Sequence, residues 1–249
     1  LRSKFLRAYF SLLGKKTTRI DKGRKEKKAI ISQKAPLQPL KHTINRYRDV
    51  FDAMGYPAEM TFSDYFSVGC PKVSLPEHIF FDKTKKNIGI APFAKHKAKM
   101  YPPEKMEEVI KKISSFPDVV IYLFGGTNEA GILDKWEKNF DNAVSVAGKL
   151  NLVQELYLMS QLRVMLSMDS ANMHLASLVG VPVISIWGAT HPYLGFYGFN
   201  QSIENAIKID LDCRPCSVFG NTVCRRGDYA CLNSIHPSII VRRLQKYLD

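Results

Sequence analysis

The stretch Val164-Met165-Leu166-Ser167-Met168-Asp169-Ser170-Ala171-Asn172-Met173-His174-Leu175-Ala176-Ser177-Leu178-Val179-Gly180-Val181-Pro182-Val183-Ile184-Ser185-Ile186-Trp187-Gly188 decides the fold. Val164–Met168 is a short apolar run that stops at Asp169. Ser170–Val179 has helical spacing and ends at Gly180. Val181–Trp187 is a second apolar run, closed by Gly188. Strands that read as apolar runs, without polar alternation, are buried on both faces, and a helix between two of them marks a parallel crossover.

The same alternation extends toward the N-terminus. Asn87–Phe93, Val119–Phe124 and Ala143–Ala147 read as strands. Pro103–Ser115, Asn128–Phe140 and Leu152–Gln161 read as helices, the first with proline near its start, where a missing N–H costs nothing. Ile239–Leu248 is a closing helix. Right-handed crossovers then predict an α/β fold with a doubly wound, Rossmann-like parallel sheet in residues 87–249.

Residues 1–86 are of another kind. The chain has 249 residues and a formal net charge of +13. Residues 1–50 carry 15 Lys and Arg against three acids, a net +12, so the remaining 199 residues carry only +1. Such a segment attracts anionic partners, unless it is simply a solvated face. Leu1–Leu13 sets Leu1, Phe5, Leu6, Tyr9, Phe10, Leu12 and Leu13 beside Arg2, Lys4 and Arg7, a basic amphipathic helix. It suits a membrane surface, but packing on its own domain is the expectation here. Gly14–Lys28 reads as an exposed basic loop. Ile44–Met54 reads as a helix stopped by Gly55 and Pro57. Thr61–Lys86, with Gly69, Pro71 and Pro76, reads as a linker or domain edge. The division expected is therefore between 86 and 87: a basic segment with its linker in 1–86, and the doubly wound domain in 87–249. No apolar run approaches the ~20 residues of a spanning helix, and no secretory signal is visible. The chain begins with Leu1, and a fragment of a longer protein is the expectation.

In an open parallel sheet, ligands bind beyond the carboxyl ends of the strands. Those ends are Ala91–Ala94, Gly125-Gly126-Thr127, Ala147-Gly148-Lys149, Asp169-Ser170-Ala171 and Gly188-Ala189-Thr190. Asp169-Ser170-Ala171 opens a helix, whose unpaired N–H groups and dipole suit a pyrophosphate. Asp169 or Ser170 serving only as a helix cap is the plainer alternative. His174 follows Ser170 by four residues on the same helical face, where a histidine is commonly a core residue. Lys95–Lys99 could hold phosphates, although a solvated loop explains Lys95 and Lys97 as well. No GxGxxG and no GxxxxGK[ST] occurs, which speaks against a dinucleotide dehydrogenase and a P-loop ATPase.

The residues Asp169–Pro182, followed by Trp187-Gly188-Ala189-Thr190-His191-Pro192, resemble the signature of glycosyltransferase family 9, the lipopolysaccharide heptosyltransferases. Lys99-Met100-Tyr101-Pro102 resembles the family's Lys-x-aromatic-Pro, and Gly125-Gly126-Thr127-Asn128-Glu129 its glycine-rich turn with a following acid. The resemblance covers residues 87–249 well and 1–86 weakly. It implies a GT-B architecture in which 1–86 is a remnant of the N-terminal acceptor-side domain plus linker and 87–249 is the nucleotide-sugar-binding Rossmann-like domain that holds the donor, usually ADP-heptose, with no redox cofactor and no essential metal. Carried over, Lys99 contacts donor phosphate and Glu129, beside Gly126 and Thr127, binds ribose. Gly148, Lys149 and Leu150 border the base. Asp169 bonds the sugar or anchors its loop, Ser170 and Ala171 offer amides to the pyrophosphate, and His174 sits beside it.

Two departures stand out. Ala171 replaces the family's Gly, and a methyl group disfavours positive φ. The family's N-terminal [SA]-x-[LIM]-G-D, whose acid is thought to act as general base, has no counterpart in residues 1–86. Asp49 and Asp52 read as surface acids of a helix. The catalytic residue is therefore unassigned, and this chain alone is expected to bind donor and to transfer poorly or not at all. The implied acceptor is an anionic lipopolysaccharide core, met by the basic segment at the cytoplasmic face of the bacterial inner membrane. A sugar-nucleotide-binding module without catalysis is the first rival. The second is a basic nucleic-acid-binding protein, but residues 1–50 have few aromatics and no recognition motif, so no nucleic-acid partner is expected.

Cys213-x2-Cys216-x7-Cys224-x6-Cys231 form a cluster, with Cys70 apart. The first pair has zinc-ligand spacing and the second is looser. A structural zinc, free thiols and disulfides all remain open, each holding the Leu211–Asn233 loop rather than serving catalysis.

Overall fold

The computed structural model describes residues 2–67, 69, 72–79 and 81–249, without the side chain of Arg2. Leu1, Cys70 and Pro71, named above, lie outside them. The chain forms two compact units. One comprises the residues up to Phe62 with Tyr193–Phe196, the other Ser63–Pro192 with Tyr197–Asp249.

The C-terminal unit is built on β1 (Lys86–Ala91), β2 (Val119–Leu123), β3 (Ala143–Ser145), β4 (Val164–Met168), β5 (Val183–Ile186) and β6 (Ala206–Ile207). All pairings are parallel, in the order β3-β2-β1-β4-β5-β6. That is the doubly wound order, and it reverses direction between β1 and β4. The helices between strands are α4 (Pro103–Ser114), α5 (Ala130–Asn139), α6 (Leu152–Ser160) and α7 (Ala171–Leu178); the short α8 (Ala230–Asn233) and α9 (Pro237–Gln245) follow β6. Five strands were legible as apolar runs. The sixth is two residues long and carries no periodic signal.

Alternate strand residues feed two cores. Ile88, Ile90, Ile121, Leu123, Leu166 and Ile184 pack with the apolar sides of α4, α5 and α9. Ala91, Tyr122, Met165 and Val183 pack with those of α6 and α7. Both faces of the sheet are thus covered, which is why its strands read as apolar runs. The segment expected to be a linker or domain edge joins the second core through Phe66, Leu75, Ile79 and Phe81. Tyr65 N–H also donates to the Leu178 carbonyl at 2.8 Å. The compact unit accordingly starts at Ser63, whereas the sequence expectation set the boundary between 86 and 87.

The N-terminal unit holds α1 (Arg2–Leu12), α2 (Arg24–Ile31) and α3 (Thr43–Met54). Two expectations are corrected here. The apolar stripe of α1 does not pack on its own unit: Phe5, Leu6, Tyr9 and Phe10 are exposed, Phe5 by 72%. Nor is Gly14–Lys28 a loop throughout, because α2 starts at Arg24 and buries Lys27 and Ile30. Lys27 keeps company that the local sequence could not show: its ammonium donates to the Lys22 carbonyl at 3.0 Å and lies 3.9 Å from the centre of the Phe196 ring. Asp49, on α3, is a surface acid paired with Lys41 at 2.5 Å. Among the described residues, no helix is long and apolar enough to cross a membrane.

Candidate functional site

The reversal between β1 and β4 marks the candidate site, because ligands of open parallel sheets bind beyond the carboxyl ends of the strands at such a switch point. Lys99 lies on the segment leaving β1, in a short 3-10 turn at Lys97–Lys99. Asp169 directly follows β4. The two side chains pair, Lys99 Nζ to Asp169 Oδ2 at 2.9 Å, and both are largely buried. The same oxygen accepts a hydrogen bond from Thr190 Oγ1 at 2.7 Å. Asp169 is therefore held from two sides, and Lys99 is fixed at the mouth of the sheet. The stem of Lys99 occupies the space a side chain at Gly220 would need, and Gly220 has φ +74°.

Tyr101, two residues on, explains the aromatic of its motif. It is fully buried, and its hydroxyl donates to the Ile235 carbonyl at 2.8 Å. Burial pushes the phenol well above its ordinary range. Pro102 and Pro103 then start α4.

Ser170 occupies the position before α7 with extended dihedrals, yet no side chain caps the helix. The capping alternative is thus not realised: the Ser170 hydroxyl instead bonds the Ser167 hydroxyl at 3.1 Å. The first amides of α7 have no intrahelical acceptor, and Ala171 is exposed. Ala171 is the first residue of α7 and is not among the residues with positive φ. The departure from Gly therefore costs no backbone strain, since alanine is the best helix former. His174 is exposed one turn further along α7.

The turn after β2 is closed by its acid. Gly126 N–H donates to Glu129 Oε2 at 2.8 Å, and Glu129 precedes α5. Gly148, after β3, has φ +67°, and a Cβ there would lie 2.6 Å from Thr127 Cγ2. Glycine lets the turns after β2 and β3 touch. Lys149 points away from them, its ammonium 3.3 Å from Asp134 and 3.4 Å from Glu137 on α5. Leu150 packs against the second core. Of the predicted residues, Lys99 and Asp169 are brought into contact, with Ser170 and Ala171 adjoining; Gly126, Thr127, Glu129 and Gly148 form a neighbouring pair of turns, and Lys149 is committed elsewhere.

Sequence reading gave no role to Thr190, His191 or Arg214. The first two stand in the quoted family block, and Arg214 lies hidden between cysteines that drew the attention. His191 is buried, and burial, with Arg214 and Lys208 nearby, lowers its pKa to about 4. The four cysteines are free thiols around a cavity of about 20 Å³, no larger than one water needs. Burial raises the Cys216 thiol and takes Cys231 to about 11. Among the described residues, no group of three or more His, Cys, Asp or Glu is placed to hold a metal ion. The zinc spacing is thus not matched by a ligand set, and the thiols pack the loop.

The N-terminal unit has its own charged feature. A cavity of about 950 Å³ is bounded by Lys4, Arg7, Arg19, Lys22, Arg24 and Lys25. Asp21 and Glu26 also border it, but Arg46 engages both, at 3.7 Å and 2.6 Å. The cations are left without carboxylate partners among the described residues.

The profile of glycosyltransferase family 9 (heptosyltransferase) matches residues 8–223. The chain belongs to this family. Lipopolysaccharide heptosyltransferase 1 of Campylobacter coli is 29% identical over 176 residues, spanning 67% of this chain and 49% of that protein. The chain therefore covers about half the length of this curated relative. Two solved structures share the fold. The Escherichia coli heptosyltransferase WaaC with ADP aligns with a TM-score of 0.60 and 18% identity, over 86% of this chain and 59% of that one. A family 9 glycosyltransferase from Veillonella parvula aligns with a TM-score of 0.62 and 16% identity, over 93% of this chain and 62% of that one. Within family 9, the α/β expectation for this chain is met by its six-stranded parallel sheet.

Proposed function

We propose that the protein represented by this chain transfers heptose, or a related sugar, from a nucleoside-diphosphate donor to a lipopolysaccharide core acceptor, with ADP-heptose as the donor. The observation that carries this reading is the cation at the switch point of the sheet: Lys99, held by Asp169 directly before the uncapped start of α7. A diphosphate seated there meets a lysine ammonium and the free amides of Ser170 and Ala171, with His174 beside it. These groups stabilise the charge that grows on the leaving nucleoside diphosphate as the sugar departs. The second oxygen of Glu129 is assigned to the ribose hydroxyls, beside Gly126 and Thr127. Gly148 and Leu150 border the base, while the Lys149 ammonium takes no part. The general base is not assigned to any residue.

The acceptor belongs to the N-terminal unit in this reading. Six cations around one cavity suit a phosphorylated saccharide. The exposed apolar residues of α1 favour peripheral contact at the cytoplasmic face of the inner membrane.

Thermal shift with ADP, GDP, UDP and ADP-heptose tests the donor half. ADP and ADP-heptose should raise Tm, since a ligand at 100 times its Kd adds about 2.7 kcal/mol. GDP and UDP should not. Lys99→Met should abolish most of the shift. The donor assignment fails if no nucleotide moves Tm. Turnover of ADP-heptose with a core acceptor separates transfer from binding alone.

A further inference from the structure

Arg214 is a buried cation without a carboxylate partner among the described residues, a costly arrangement unless its donors are used. They are. Nε donates to the Gly188 carbonyl at 2.5 Å, and Nη2 to the carbonyls of Trp187 at 3.1 Å and Thr190 at 3.0 Å. Nη1 donates to the Ile209 carbonyl. Three of these four acceptors belong to one turn, the one that leaves β5.

That turn also grips the candidate donor site. Thr190 Oγ1 donates to Asp169 at 2.7 Å, and Asp169 pairs with Lys99 at 2.9 Å. Ala189 N–H donates to the Ala98 carbonyl at 2.9 Å, next to Lys99 in the chain. Arg214 thus fastens the turn from behind, and the turn fixes both the acid and the backbone that aim Lys99. A planar guanidinium presents five N–H donors on three nitrogens in a rigid fork, which reaches these four carbonyls at once; a lysine ammonium has its three donors on a single nitrogen and cannot span them.

We infer that Arg214 is a positioning residue, which sets the Trp187–Thr190 turn so that Asp169 holds Lys99 ready for a donor diphosphate. The inference rests on the donor reading above for its ligand, not for its geometry. Arg214 touches no part of the donor and acts through Thr190, Asp169 and Ala98.

The test uses the full chain with Arg214→Lys, Arg214→Met, Lys99→Met and the double variant Arg214→Met with Lys99→Met. Calorimetric titration compares ADP with adenosine, at a temperature well below the melting of each variant. ADP affinity should fall at least tenfold in both Arg214 variants, while adenosine affinity stays within twofold. The double variant should be no weaker toward ADP than Lys99→Met alone. Parallel losses for ADP and adenosine, or additive losses in the double variant, would overturn the inference, because a general loss of packing gives that pattern. The geometry is read separately in the nucleotide-free chain, from the side-chain resonances of isotopically labelled lysine. The Lys99 signal should shift in Arg214→Lys, the milder variant, and an unchanged signal overturns the inference whatever the nucleotide does. A shifted Lys99 signal in a chain whose wild-type form ignores ADP would sink the donor reading and leave the positioning role standing.

Discussion

The two units solve opposite problems. The C-terminal unit is nearly neutral and buries a sheet on both faces, so its stability rests on apolar contact. The N-terminal unit concentrates the charge of the chain, and its best-buried polar groups are themselves cations. Arg46 is held there by Asp21, Glu26 and backbone carbonyls, Lys27 by one carbonyl and an aromatic ring. Even the apolar face of α1 remains in solvent. The six cations around its cavity have no carboxylate partner among the described residues, and together with the exposed face of α1 they leave charge and apolar surface open to a partner.

That contrast can be broken or sharpened by measurement. Both tryptophans, Trp136 and Trp187, lie in the C-terminal unit, so their fluorescence follows that unit alone. The largest effect is expected from Ile110→Ala in α4. This side chain is fully buried in the first core, and its loss should cost about 3–4 kcal/mol in urea unfolding followed by tryptophan emission. A cost below about 1 kcal/mol would mean that the core is not packed as described.

Arg214→Met should follow, at about 3 kcal/mol, since it strips a charged donor from buried carbonyls. Its lowered pKa, caused first by burial, marks the desolvation that those bonds offset.

The pH dependence comes next. His191 titrates at about 4 in the folded protein, below its ordinary value, so the unfolded chain binds more protons between the two values. Stability should therefore fall as pH drops below about 6.5, by about 2 kcal/mol from pH 7 to pH 5. His191→Phe should flatten that part of the urea-midpoint profile. An equal loss in the variant would assign the pH dependence elsewhere.

The smallest effect is expected from Phe5→Ser on α1, within about 0.5 kcal/mol, because the ring is already exposed. The tryptophan transition should not move. The same variant should weaken adsorption to anionic vesicles in a flotation assay, if the exposed stripe meets a membrane.

Much of the C-terminal fold was legible because its strands announce themselves. Val164–Met168 agrees to the residue, and the other strands and helices differ from the reading mainly at their ends. Helix termini are set by cap geometry more than by periodicity. The candidate site was legible in outline: Lys99, Asp169 and the start of α7 carry local signals. Their mutual arrangement was not. Asp169 takes its bonds from Lys99 and Thr190, residues distant in the chain, and Lys149 is drawn to α5 by acids that no local reading ranks. In the N-terminal unit, Arg24–Lys28 looked like a solvated loop because five polar residues in a row hide the face that buries Lys27.

By itself, then, the sequence determined the alternation of strands and helices, the place of the turn before α7 and the family, because each is written in runs of adjacent residues. Tertiary structure alone decided the order of the strands, and through it which turns become neighbours. It also decided that Arg214 holds the turn carrying Thr190, and that Thr190 and Lys99 meet at Asp169. These outcomes depend on groups far apart in the chain, whose meeting is settled only when the two cores close around the sheet.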